Sequence, residues 1–250
     1  MFYSDEEEPI VKRFISYKEN VLRNNKVILT KFLNLREAEL LEYVIGKSDD
    51  ISLYFSSISE SDEYKRAVIS AFPIEPDFNI SLLKIEYNKK FITLDHRHLL
   101  GNIMGLQIER NMIGDIYISR EGNVYIAVSR EMEDFLKNNL TVIDHQPINL
   151  INVDNIIGDF TPNMDVKKYY VASLRLDLII SERFNLSRKE SQELIKAGNV
   201  KINARTELNP VHNVNNMDTI SVKTKGKMKV LEIGGESKSG RIIITLGKLL

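Results

Sequence analysis

The chain of 250 residues contains no cysteine, which removes disulfides, thiolate catalysis and cysteine-ligated zinc together. Long hydrophobic runs are also missing. The longest, such as Ile242-Ile243-Ile244, fall far short of the roughly 20 apolar residues that cross a bilayer as a helix. The start, Asp5-Glu6-Glu7-Glu8-Pro9, is acidic and leads into no apolar segment, so no secretory signal is expected. No glycine-rich nucleotide loop follows a strand pattern and there is no P-loop, which argues against methyltransferase and aminoacyl-tRNA synthetase classes. These absences lead to the expectation of a soluble cytoplasmic protein with no membrane contact, no cofactor and no metal.

The 43% of hydrophobic residues suffices for a real core and for one to three domains. A formal net charge of −1 hides a strong asymmetry. Residues 173–250 hold 14 Lys+Arg against 8 Asp+Glu, a net of +6, while the preceding 172 residues hold 20 against 27, a net of −7. Attraction for phosphate follows the local field, so the basic end is the expected nucleic-acid face.

Hydrophobic periodicity predicts an α+β protein in four parts. Residues 1–76 read as a mainly helical N-terminal domain. Ile10, Val11, Phe14, Tyr17 and Val21 follow helical spacing, as do Leu40, Leu41 and Val44 ahead of Gly46. Ile51 to Phe55 reads as a short strand and 61–71 as a charged helix. Residues 77–150 give the order β-α-β-β-α-β of the ferredoxin-like split fold, which RNA-recognition motifs share. The third strand offers one aromatic, Tyr125, equally usable for RNA stacking or for the core. Residues 151–172 read as a polar connector and 173–250 as a basic module ending in a β-hairpin.

In that module Ser187 and Glu190 have capping-box spacing, and Gly198 is placed as a left-handed helix stop. Leu194, Ile195 and Ala197 supply an inward face. Arg188, Gln192 and Lys196 drift only about 40° per step and share one face, suited to a phosphate backbone or to plain solvation. Lys223, Lys225, Lys227 and Lys229 alternate around Gly226, pointing to one side of a ribbon or clustering at a hairpin tip. A polyanion would relieve their repulsion, and lysine-rich edges also discourage sheet aggregation.

The series Arg175-Leu176-Asp177, Ser187-Arg188, Gln192, Leu194-Ile195, Gly198, Val200 and Asn203, with Asn216 in a glycine-like place before Asp218-Thr219-Ile220, resembles the S4 RNA-binding domain. That αL module packs two helices on a small sheet and grips structured RNA. The resemblance implies RNA-facing positions at Arg175, Ser187, Arg188, Lys189, Gln192, Lys196, Lys201 and Asn203. Upstream, Leu94-Asp95-His96-Arg97-His98-Leu99-Leu100-Gly101, Gly105-Leu106, Arg110 and Gly114-Asp115-Ile116 resemble the signature of the YlmH family, as does Phe32-Leu33-Asn34-Leu35-Arg36-Glu37. His98, Gln107 and Leu35 stand where that family usually has Asp, Gly and Pro. The resemblance implies a ribosome-associated RNA-binding protein with a split β-α-β middle domain. The expectation is a monomeric, non-catalytic protein whose partners are ribosomal RNA or tRNA and the large ribosomal subunit. Its family roles are quality control of stalled complexes and, in some members, cell division.

Two other readings compete. An RNA-modifying enzyme is suggested by Arg175-Leu176-Asp177, which is like a pseudouridine-synthase motif but continues as Leu178-Ile179-Ile180-Ser181. Asp95 with Asp115 would be its acid/base pair if residues 77–150 were catalytic. A division-associated adaptor would use the acidic amino terminus. Arg97 and Arg110 add to an RNA surface or pair with Asp115 and Glu109, and His96 and His98, two apart, are poorly spaced for one metal.

Overall fold

The computed structural model describes residues 2–46, 50–161 and 164–249, and the chain divides after Thr161 into two units. Helices packed on sheets make both of them, an α+β architecture.

In the first unit, helix α1 (Glu8–Asn24) has Pro9 in its opening turn, where a missing N–H costs little. It buries Val11, Phe14 and Val21 against Leu40, Leu41 and Ile45 of α2 (Leu35–Ile45). The Asn34 side chain accepts from the Glu37 N–H while the Glu37 carboxylate returns to the Asn34 N–H, a capping box that starts α2. At its other end the Lys18 ammonium donates to the Val44 and Ile45 carbonyls, both at 2.9 Å, satisfying acceptors that the helix leaves open.

Five short strands accompany these helices: β1 (Ile28–Leu29), β2 (Leu33–Asn34), β3 (Ser52–Phe55), β4 (Tyr64–Lys65) and β5 (Ala67–Ser70). The charged helix expected over 61–71 does not form. Ala67, Val68, Ile69 and Ser70 are all buried as the central strand between β1 and β3. Branched Val68 and Ile69 fit a strand covered on both sides, and that tertiary burial outweighs the local helical pattern. The N-terminal region is therefore mixed rather than mainly helical.

Strands β6 (Ile80–Tyr87), β7 (Ile113–Ile118), β8 (Val124–Ser129) and β10 (Gln146–Asn152) form an antiparallel sheet in the order β7-β8-β6-β10. With helices α3 (His96–Gly105) and α4 (Glu133–Asn139) in the connections, this is the ferredoxin-like arrangement. β9 (Val142–Ile143) adds a hairpin to its edge through Asp144 and His145, both with positive φ. Leu83, Ile85, Ile126 and Val128 meet Leu99, Ile103 and Leu136 of the helices on one face, while Phe135 lies exposed. The alternate residues Leu82, Tyr117, Tyr125 and Ala127 face the other way, where Phe32, Tyr64, Val153, Ile156 and Phe160 cover them.

Two motifs meet on that covered face. The Phe32 ring lies so close over Gly114 that a Cβ there would stand 2.6 Å from Phe32 Cε1. Asp115 accepts the Tyr64 N–H at 2.9 Å and the Glu63 N–H at 3.0 Å, and Tyr117 donates its hydroxyl to buried Asp62 at 2.7 Å. Burial pushes the Asp115 carboxyl up to about 6, against the pull of the Tyr64 N–H and with the help of neighbouring Asp62 and Glu63 charge. Arg36, buried in the same amino-terminal motif, donates to Glu7 at 2.7 Å and to the Phe2 carbonyl at 2.8 Å. That hydrogen bond holds Glu7 at about 2 despite partial burial.

The second unit is one six-stranded sheet with two helices on it. Its strands are β11 (Met164–Val171), β12 (Val200–Ile202), β13 (Arg205–Thr206), β14 (Thr219–Val222), β15 (Gly226–Glu236) and β16 (Ile242–Leu249), in the order β11-β16-β15-β14-β12-β13. Leu176, Ile179 and Ile180 of α5 (Leu176–Phe184) and Ile195 of α6 (Arg188–Lys196) pack on Val200, Ile220, Met228, Val230, Ile244 and Leu246. Residues 151–172, read as a connector, are largely structured. Val153, Ile156 and Phe160 seal the first sheet, and Met164–Val171 is the edge strand of the second. Arg183 fastens that strand to α5, donating to the Asp165 carboxylate at 2.9 Å and the Tyr169 hydroxyl at 3.3 Å.

Gly114→Ala is expected to lower unfolding free energy by about 1–3 kcal/mol through overpacking against Phe32, measured by urea denaturation. Asp115 is protonated more readily folded than unfolded, so its unfavourable ionised burial is relieved as pH falls from about 6 toward 4. Wild-type stability relative to Asp115→Asn is therefore expected to rise over that window. Glu7 works oppositely, its contribution being present above about 4.5 and lost as pH falls toward 2. Denaturation midpoints at pH 7, 6, 5, 4, 3 and 2 resolve the two.

Candidate nucleic-acid interface

Helix α6 starts as its sequence dictates. The Ser187 hydroxyl accepts the Glu190 N–H at 3.2 Å and Glu190 accepts the Ser187 N–H at 2.7 Å. Gly198, with φ of +71°, turns the chain out of the helix in a conformation that side-chain-bearing residues rarely adopt. Ser191 and Ile195 face inward with Leu194 partly covered, whereas Ala197, expected inside, is exposed because the helix has already ended there.

The centre of this interface is Asp177, whose side chain has no exposed surface. Arg175 donates to it twice, Nε to Oδ1 at 3.1 Å and Nη2 to Oδ2 at 2.8 Å. From the next helix, Gln192 Nε2 reaches Oδ2 at 2.7 Å and Arg188 Nε reaches it at 3.3 Å. Burial alone would raise this carboxyl, but the hydrogen bonds from Arg175, Gln192 and Arg188 hold it below the usual range. An ionised carboxylate thus fixes two guanidinium groups and an amide at the junction of α5 and α6. Arg188 nevertheless keeps 54% of its side chain open to solvent. Fixed guanidinium groups suit phosphate oxygens, because less side-chain freedom is lost on contact. Exposed Lys189 and Lys196 extend the same helix.

The other residues assigned from the sequence separate into distinct places. Ser187 is occupied as the α6 cap. Lys223 and Lys225 lie at the β14–β15 hairpin tip, with Lys225 near enough to Glu190 to lower its carboxyl after that residue's bonds with Ser187. Lys201 and Lys227 face away from the helices, since each neighbours residues buried beneath them. Asn203 is locked internally: its Nδ2 donates to Asp218 at 2.7 Å and its Oδ1 accepts the Thr219 N–H at 2.9 Å. The glycine-like conformation expected at Asn216 falls instead on Met217, with φ of +67°, while Asn216 accepts the Ile233 N–H.

In the first unit, Arg97 lies exposed on α3 beside an open hollow of about 590 Å³ that Asp95, His98 and Asn102 also line. Arg110 is folded inward, donating to the Ile113 carbonyl and lying 3.9 Å from the Tyr64 ring centroid, so it clamps the fold rather than facing outward. Its expected partners are engaged elsewhere, Glu109 by Lys31 and Asp115 by backbone. Asp95 caps α3 by accepting the His98 N–H, and His98 pairs with Asp144 at 3.1 Å. Asp95 belongs to the helical side of the sheet and Asp115 to its covered back, so they form no dyad. Tyr125, the aromatic available for RNA stacking, is buried beside Phe160 and donates to the Ile157 carbonyl.

Two family models match the chain. One, described as "Putative RNA-binding domain in YlmH", matches residues 73–156, and the S4 domain matches 174–220. Together with the αL geometry around Asp177, they define an RNA-binding protein of the S4-domain class. The chain is 32% identical over 249 residues to the "Ribosome-associated protein quality control protein P2" of Bacillus subtilis (strain 168), covering 97% of this chain and 95% of that one. It belongs to the YlmH family. A solved structure, "Cell division protein ylmH from Streptococcus pneumoniae", aligns with a TM-score of 0.50 at 27% identity, over 60% of this chain and 93% of that one.

Asp177→Ala is expected to destabilise the second unit by about 2–3 kcal/mol, since it strips charge-assisted hydrogen bonds from a buried site. The same variant is expected to weaken RNA binding although it removes a negative charge, because Arg175 and Arg188 lose their anchor. Electrophoretic mobility shift with structured RNA, beside a thermal melt, reads both effects.

Proposed function

We propose that this protein is a non-catalytic reader of structured RNA that docks on ribosomal RNA, or on tRNA held in the ribosome, and acts with the large subunit in ribosome-associated quality control. The observation that carries this reading is the Asp177 clamp, which presents Arg175, Arg188 and Gln192 as one preorganised group beside exposed Lys189 and Lys196. The relative named for ribosome-associated quality control, matched along nearly its whole length, supports the biological setting. The separation of Asp95 from Asp115 speaks against the modifying-enzyme reading, whose proposed dyad it removes. The pneumococcal relative, named as a cell division protein, favours a second reading, a division-associated adaptor whose net-negative first unit contacts protein.

Arg188→Glu with Lys196→Glu is expected to lower affinity for structured RNA at least tenfold and to reduce the salt slope by about 2. Because Arg188 also donates to Asp177, a thermal melt accompanies it. Lys189→Glu with Lys196→Glu, which leaves the Asp177 bonds in place, is expected to weaken binding in the same direction with the fold intact. In a sucrose gradient of lysate the wild-type chain should migrate with large subunits and the Arg188→Glu, Lys196→Glu variant should stay at the top. A variant that still co-migrates would remove the helical layer from the docking surface. Retention of a division partner after loss of residues 173–250 would favour the adaptor.

A further inference from the structure

The two helices of the second unit cover only one face of its sheet. Residues opposite one another in a β-ladder share a face, so the pairing register fixes what the other face carries. Val166, Gly247, Lys229 and Thr219 form one row across β11, β16, β15 and β14. Lys227, Ser221 and Lys201 form the next across β15, β14 and β12. Lys168 pairs with Thr245, and Tyr170 with Ile243. Intervening residues, among them Ile244, Leu246, Val230 and Ile220, belong to the core under the helices, so these rows face outward.

That outer face has an unusual make-up. Its floor is apolar, with Met164 and Leu231 lying over Gly247, where a Cβ would stand 2.7 Å from Met164 Sδ and 3.1 Å from Leu231 Cδ1. Tyr170 is 54% exposed and Val166 53%. Lys168, Lys201 and Lys229 stand on it, Lys227 shares the row of Lys201, and Glu232 lies opposite Thr245 beyond a bulge. A contiguous apolar floor exceeds the scattered apolar residues of an ordinary solvent face, and a face meant for an apolar protein surface would not carry Lys168, Lys229 and Lys201 in adjoining rows. An apolar, aromatic floor with cations around it fits bases and phosphates together. Unpaired RNA can splay its bases onto such a floor, whereas a duplex keeps them stacked inside.

We propose that this face binds an unpaired RNA segment, with a base stacked on Tyr170 and phosphates held by Lys168, Lys229 and Lys201. The second unit then holds RNA on both of its layers, structured RNA on the helices and a single strand on the sheet. This surface includes β11 and most of β15 and β16, which lie outside the residues matched to the S4 domain.

The test uses the full-length chain, a fluorescently labelled twelve-residue oligouridine and a labelled RNA hairpin, with binding read by anisotropy. Lys168→Glu with Lys229→Glu is expected to weaken oligouridine binding at least tenfold, and Tyr170→Ala about five- to a hundredfold. Tyr170→Phe should keep it, and Lys168→Gln with Lys229→Gln should give a smaller loss in the same direction at an unchanged melting temperature. Hairpin affinity should stay within about threefold of wild type in all four variants. The Arg188→Glu, Lys196→Glu variant should show the reverse pattern. Oligouridine binding that is absent from wild type, unchanged by the sheet variants, or lost only in the Arg188/Lys196 variant would overturn the proposal. So would ultraviolet cross-linking in lysate that joins the Tyr170 peptide to protein and not to RNA. Sheet-dependent oligouridine binding without hairpin binding would sink the helical-layer reading and leave this one standing.

Discussion

The fully buried carboxylate of Asp177 sets the geometry of the basic module. A charge removed from water must be matched by donors, and here they come from Arg175 just ahead of α5 and from two successive turns of α6. The requirement works in both directions. Asp177 remains ionised because Arg175, Gln192 and Arg188 surround it, and these side chains hold their positions because Asp177 stays ionised. The angle between the two helices and the spacing of their cations therefore rest on one electrostatic solution. Net positive charge brings RNA to the module, while this arrangement decides where its phosphates can be met.

In the first unit the decisive constraint is a sheet that has both faces covered. A ferredoxin-like sheet with helices on one side resembles an RNA-recognition motif, whose other side is open. Here the other side is sealed by Phe32 and Tyr64 from the amino-terminal region and by Val153, Ile156 and Phe160 from the segment after the last strand. The family motifs around Phe32, Arg36 and Gly114 thus have a structural use. The Phe32 ring against Gly114 binds the amino-terminal region to the sheet, while the Asn34–Glu37 capping box starts α2 and the Arg36 guanidinium ties that helix to Phe2 and Glu7.

Features written in local sequence were the ones that could be read directly. The capping box at Ser187, the stop at Gly198, the hairpin through Gly122 and the β-α-β-β-α-β order all depend on residues within a few positions of one another. What the sequence conceals depends on distant partners. Met164–Val171 looks polar and irregular until it is paired with Leu249 through Ile242, about 75 residues on. Ala67–Ser70 becomes a strand because β1 and β3 flank it. Asp177 stands two residues from Arg175, but its links to Arg188 and Gln192 span a turn whose geometry spacing alone does not specify. The basic residues were identified from composition, but their division between helices, hairpin tip and sheet face follows from strand register.

The sealed back of the first sheet also bears on modularity. The matched RNA-binding family segment begins at residue 73 and ends at 156, leaving out Phe32, Tyr64 and Phe160. Excised at those limits, the segment would keep Val153 and Ile156 but lose the rest of the cover over Leu82, Tyr117, Tyr125 and Ala127, leaving an apolar patch of the kind that drives self-association. The portion that recurs as a recognisable sequence is thus smaller than the portion that closes the apolar core of the sheet. Truncation or grafting in this family should respect the packing boundary near Thr161, where the first compact unit ends.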